Sequence, residues 1–180
     1  MKALTFFAVC AASIAIAQTP PLAMTRGEGV AVSANGVRAA FDFEVARRAS
    51  TTSNTPQVRG RFAMAIALPN STPTNNLARR IHMPNAMVLG VNGHNAEFGG
   101  PATMTIPTPN GLETINGRVQ VNVADLRLPD APATATARDA IRVRFFRPSS
   151  TSPNGQMVFD YSGTVARGDI VVRVANPTTP

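Results

Sequence analysis

The sequence has no tryptophan, a single tyrosine (Tyr161), a single cysteine (Cys10), a single lysine (Lys2) and two histidines (His82 and His94) in 180 residues. Each scarcity removes a class of function. Without Trp and with one Tyr, the aromatic platforms that usually hold sugar rings or stack nucleobases have little material. Cys10 lies inside the N-terminal apolar run, so a chain processed beyond it has no disulfide, no thiolate nucleophile and no cysteine metal ligand. Charged residues are only 15% of the chain, which excludes a coiled coil or a long solvated bundle. The single apolar run long enough to discuss is at the N-terminus.

That run reads as a secretory signal peptide. Lys2 supplies the positive start, Ala3 to Ile14 the apolar stretch, and Ala15-Ile16-Ala17 the small residues at a cleavage site. At about 15 residues it falls short of the roughly 20 that span a bilayer, so no transmembrane segment is expected. Val9 stands before Cys10 where a lipoprotein signal wants a small residue, which argues against lipidation. The expected organisation is a signal peptide at 1–17, a flexible segment at 18–25, one all-β domain at 26–175 and a disordered tail at 176–180. The expected location is secreted or periplasmic.

What is present is alternation. Val37, Ala39, Phe41, Phe43 and Val45 share one parity, with Arg38, Asp42 and Glu44 on the other. The pattern recurs at Phe62, Met64, Ile66 and Leu68, at Val119, Val121 and Val123, at Ile141, Val143 and Phe145, at Met157, Phe159 and Tyr161, and at Ile170, Val172 and Val174. Five Asn-Gly pairs, at 35–36, 92–93, 110–111, 116–117 and 154–155, supply hairpin signals. Proline clusters at 69–73, 107–109, 129–132 and 148–153 mark longer loops. Gly99-Gly100-Pro101 reads as a turn, Gly163 and Gly168 as strand-end and turn glycines with positive φ. Leu77 to Arg80 offers at most one helical turn. The expected fold is an antiparallel β-sandwich or flattened barrel of about nine or ten strands.

The order of glycines and strands resembles exported bacterial domains of the post-COAP type. The residues that carry it are Phe41-Asp42-Phe43, Gly60, the run Val91 to Gly100, Val119 to Asp125, Asp139-Ala140-Ile141 and Tyr161 to Ile170. The chain departs from the pattern at Pro69–Arg80 and Pro129–Arg138. The resemblance implies an exported all-β module and carries over no catalytic residue.

Candidate chemistry is thin. His82, Met83, Met87 and His94 offer imidazole and thioether ligands for Cu(I), but no dense methionine run accompanies them. His94 and Glu97 lie three apart, which in a strand places them on opposite faces. Asp125, Asp130 and Asp139 flank one loop and offer oxygen to Ca²⁺, yet lack a calcium-loop spacing; capping of loop amides suits Asp125 and Asp139 better. No GxSxG elbow or P-loop occurs. No catalytic, cofactor or metal residue is therefore assigned, and no cofactor is expected.

The 16 arginines against 10 acidic residues allow weak binding to anionic polymers, without a specific nucleic-acid site. Arg142 and Arg144, with Arg118 or Arg173 alongside, are the candidate cationic stripe, which Gln120, Asn122 and nearby acidic residues are expected to dilute. The functional expectation is a non-enzymatic exported protein with a surface-interaction or structural role in the envelope or matrix. The alternative is a carbohydrate- or small-ligand-binding domain.

Overall fold

The computed structural model describes residues 22–50, 55–68, 78–127, 137–152 and 155–174. The expected signal peptide (1–17) and tail (176–180) lie outside them, as does Asp130. Nine strands follow in order: β1 (Ala23–Val32), β2 (Arg38–Arg48), β3 (Gln57–Ala67), β4 (Ala78–Met83), β5 (Val88–Asn92), β6 (Asn95–Thr108), β7 (Gly111–Ala124), β8 (Ala140–Arg147) and β9 (Gln156–Val174). Every pairing is antiparallel, in the spatial order β4-β3-β2-β1-β9-β8-β7-β6-β5. A further pairing of β4 with β6, Arg80 to His82 against Thr103 to Thr105, closes eight strands into a barrel, with β5 as an extra strand.

The barrel replaces the sandwich among the two expected forms. The reason lies in β6, whose first half pairs with β5 and whose second half pairs with β4. One long strand with two successive partners on the same side closes the sheet and removes the edges that two separate sheets would keep. Pro101 sits at the changeover. The Gly99 carbonyl accepts from Met87 N–H on the β5 side at 2.9 Å. Two residues on, the Pro101 nitrogen faces the same side, in the interval between β5 and β4. A residue without an N–H loses no ladder bond there. Gly99-Gly100-Pro101 is thus strand, not the expected turn.

The alternation fills the barrel as expected. Phe41, Phe43 and Val45, then Phe62, Met64 and Ile66, Val119, Val121 and Val123 of β7, and Ile141, Val143 and Phe145 of β8, are all buried. Phe43, Phe62 and Phe98 pack mutually in tilted and edge-on contacts at centroid distances of 5.1 to 6.5 Å, and Phe41 stacks on Phe43 at 6.0 Å. Such offset and tilted contacts add to the gain from burial itself. Opposite these rings, β1 turns only small residues inward: Ala23, Thr25, Gly27, Gly29 and Ala31. Large rings on one strand facing small residues on its neighbour let a narrow barrel fill without strain.

Several local expectations are corrected. Ala23 to Thr25, placed in a flexible segment, form the start of β1, and Ala23 and Thr25 are buried. Ala78 to Arg80, read as part of a helical turn, are β4; Leu77 is outside the described residues. Their ladder to β3 decides against the local propensity. Asn116-Gly117 lies within β7, not at a turn. Residues 156–174 form one strand, not two, with a bulge opposite Val30/Ala31. Gly168 keeps a positive φ of 100°, whereas Gly163 does not; a Cβ at Gly163 would lie 2.7 Å from the Tyr161 hydroxyl oxygen. The Asn35-Gly36 hairpin is present, as a three-residue loop closed by Ser33 and Val37, with Gly36 at φ 80°.

Candidate functional site

Outward residues of the consecutive strands β5 to β9 align in cross-strand rows. One row runs Gly90, Glu97, Asn122, Arg142, Ser162, and the next Val88, Gly99, Gln120, Arg144, Asp160. The side chains join. Glu97 accepts from the Gln120 and Asn122 amides at 2.5 and 2.8 Å. Asn122 in turn accepts from Arg144 at 3.1 Å. Arg142 donates through Nε and Nη2 to the two oxygens of Asp160 at 3.0 and 2.6 Å. This bidentate contact holds the Asp160 carboxyl below its ordinary range and raises the Arg142 guanidinium.

Over these rows lies a groove of about 620 Å³. Gly90, Ala124, Ala140 and Ser162 form its low floor, and Asn92, Asn95, Glu97, Asn122 and Arg142 stand around it. The arrangement offers amide, carboxylate, hydroxyl and guanidinium groups to a polar ligand, held in place by cross-strand bonds before any ligand arrives.

The network decides the fate of two sequence expectations. Arg142 and Arg144 do share the outer face, but Asp160 neutralises the first and neighbours the second. Arg118 stacks over Phe146 at 4.6 Å. Arg173 is eleven residues beyond Ser162 on β9, far from the row. Asp160 and the Gln120 and Asn122 amides thus dilute the positive charge of this face. Glu97 spends its oxygens on Gln120 and Asn122, while His94 occupies the β5–β6 turn and gives its carbonyl to Asp125 N–H at 2.8 Å. No base and orienting group result.

The histidines and methionines are also apart. Met83 is wholly buried, and His82, its neighbour in β4, faces the opposite side, exposed. Met87 is exposed after the Pro84–Ala86 segment. Among the described residues no group of three metal-ligating side chains comes together.

Asp125 and Asp139 act as capping groups. Beyond Thr164, β9 has outgrown β8, leaving amides on that edge without a strand partner. Asp139, wholly buried, accepts from Leu126 and Arg127 N–H at 3.0 and 2.9 Å through Oδ1, and from Ile170 N–H at 3.1 Å through Oδ2. Its carbonyl accepts from Val165 N–H at 2.8 Å, and Asp125 accepts from Val172 N–H at 3.0 Å. Two side chains thus replace a missing strand. Asp169 stands close by, and burial first, then the Asp139 charge and hydrogen bond, push its carboxyl above the ordinary range.

At the opposite end of the barrel, Arg79 takes the inward parity of β4 with Ile81 and Met83 and lays its guanidinium 4.9 Å from the Phe159 ring of β9. Desolvation lowers its affinity for its proton. Sequence reading missed this contact because β4 and β9 are four strands apart around the barrel.

No helix among the described residues is long and apolar enough to cross a membrane. Comparison with known proteins adds no relative: no family model, no curated protein and no solved structure matches the chain.

Proposed function

We propose that the protein is an exported, non-enzymatic β-barrel that acts through contacts of its outer surface, in a structural or interaction role in the cell envelope or extracellular matrix. The observation that carries this reading is where the polar chemistry lies. The phenylalanine cluster fills the interior, and the fixed hydrogen-bonded rows of Glu97, Asn122 and Arg142 stand on the outside. Export rests on the N-terminal sequence and on the post-COAP-type resemblance. Co-sedimentation of the processed protein with isolated envelope and matrix fractions tests the reading. Specific, saturable retention is the expected result, and free protein in every fraction overturns it.

A second reading, a carbohydrate- or small-ligand-binding domain, draws on the groove of about 620 Å³ and its convergent amides. Ligand-observed NMR with a panel of neutral oligosaccharides tests it. Saturation transfer lost in Asn95→Trp, which fills the groove, would favour this reading over the first.

A further inference from the structure

A second group of arginines lies on the outer face of β2 and β3, apart from Arg142 and Arg144. We infer that the groove between the β2–β3 pair and the Pro84–Asn85 segment is a docking site for an acidic polysaccharide. This rests on the surface-contact reading above and names its partner class.

The groove encloses about 860 Å³ and is lined by Arg48, Arg59 and Arg61, with Glu44 as its one carboxylate. Strand parity sets this arrangement. Val45 and Phe62 are buried, so Glu44, Ala46 and Arg48 on β2, and Gln57, Arg59 and Arg61 on β3, face outward. The register opposes Ala46 to Arg59, and Ala46 and Gly60 are the small residues of the lining beside the arginines. Like signs on one concave surface strengthen the local field for an incoming anion.

Arg59 and Arg61 keep guanidinium donors to give. Among the described residues Arg59 has no carboxylate partner and reaches only the Gln57 amide oxygen, at a long 3.4 Å. Arg61 shares Asp42 through one contact of 3.1 Å, with both side chains largely exposed. Each guanidinium carries five N–H donors in a planar fork that suits carboxylates. Arg59 and Arg61 lie two residues apart along β3, roughly 7 Å, so an extended polyanion can meet both. Gln57 and Asn85 add amide groups for sugar hydroxyls. The lining has no aromatic ring, and a single-stranded nucleic acid would lack a surface on which to stack its bases.

The test measures binding of the full processed protein to a polyuronate, alginate, at rising ionic strength. Wild type is expected to bind at low salt and to lose affinity steeply as salt rises, because pairing releases counterions. Arg59→Ser/Arg61→Ser is expected to lose about tenfold in affinity and to show a shallower salt dependence. Arg167→Ser/Arg173→Ser, at two exposed positions of β9 outside the groove lining, is expected to change affinity by less than about twofold. Circular dichroism and melting of each variant check that the barrel persists. Equal losses in both double variants, unchanged affinity in Arg59→Ser/Arg61→Ser, equal binding of a neutral glucan, or tighter binding of single-stranded DNA would each overturn the inference. Retention on envelope fractions without polyuronate binding would sink this site alone; loss of both would sink the surface-contact reading as well.

Discussion

Gly27 lies beneath the ring of Phe43: a Cβ on Gly27 would stand 2.8 Å from both Cε1 and Cζ of that ring. The two residues face each other across the β1–β2 ladder, Gly27 opposite Phe43. The aromatic ring therefore occupies the volume that a side chain on β1 would need. Gly27→Ala is expected to destabilise by about 1–3 kcal/mol through overpacking. Phe43→Leu alone costs a few kcal/mol at most through lost contacts. In the double variant the smaller side chain makes room for the methyl group, so the total should fall short of the sum of the single changes. Additive melting shifts would show that the two residues do not share the space.

The same strand tests the face assignment. Phe43→Asp buries an unpaired carboxylate and removes a ring in contact with Phe41, Phe62 and Phe98. That cost is on the order of the whole stability margin, and the variant is expected to be unfolded. Glu44→Lys, one residue on and exposed, should melt close to wild type. Circular dichroism of both variants decides it.

Asp139 is expected to be the most sensitive polar residue of the barrel. Asp139→Ala leaves the amides of Leu126, Arg127 and Ile170 without an acceptor and should cost on the order of 3 kcal/mol. Asp125→Ala frees only the Val172 amide and should cost about 1 kcal/mol. With both Asp139 oxygens occupied by amides, millimolar Ca²⁺ should leave the melting temperature unchanged. A calcium-dependent rise would show that the loop binds the ion.

Two carboxyl groups give opposite pH signatures. The folded-state pKa of Asp169 is raised, by burial first and by Asp139 next. Ionising it costs stability, so the penalty is absent below the ordinary carboxylate value and grows as pH rises through the folded value. Asp169→Asn should therefore raise the melting temperature at about pH 7 and change little at about pH 2.5. Asp160 is lowered by its bond to Arg142, so its contribution is present at neutral pH and is lost as pH falls through the folded value. Asp160→Asn should lower the melting temperature modestly at about pH 7 and not at about pH 2.5. Matching pH profiles for the two variants would contradict this assignment.

The processed, exported protein is expected to begin at Gln18, after Ala15-Ile16-Ala17. Intact mass of secreted material checks it, and a species that keeps Met1 or carries lipid on Cys10 would refute the cleavage site.

Much of the candidate surface was legible as parity and little of it as partnership. Alternation places Arg142 and Arg144 outward and Val143 inward from the sequence alone, because a strand's side chains change face at every residue. It does not say that Asp160 lies opposite Arg144 and within reach of Arg142, since that depends on how β9 registers against β8. The arginine groove was missed for the same reason. Arg48 and Arg59 are scattered in the sequence and meet only when the β2–β3 register sets Ala46 against Arg59.

By itself, the sequence determined the all-β character, the buried face of most alternating strands though not of Met157 and Val174, which are exposed, the Asn35-Gly36 and Asn92-Gly93 hairpins and the capping role of Asp125 and Asp139. These depend on local backbone preference and a two-residue period, which short stretches of chain carry within themselves. Closure was decided by the tertiary structure. Whether the strands split into two sheets or eight of them join in a ring depends on β6 meeting β5 along one half and β4 along the other. That choice, like the long continuous β9, rests on hydrogen bonds between residues distant in sequence, and such partners leave no periodic signal in the chain.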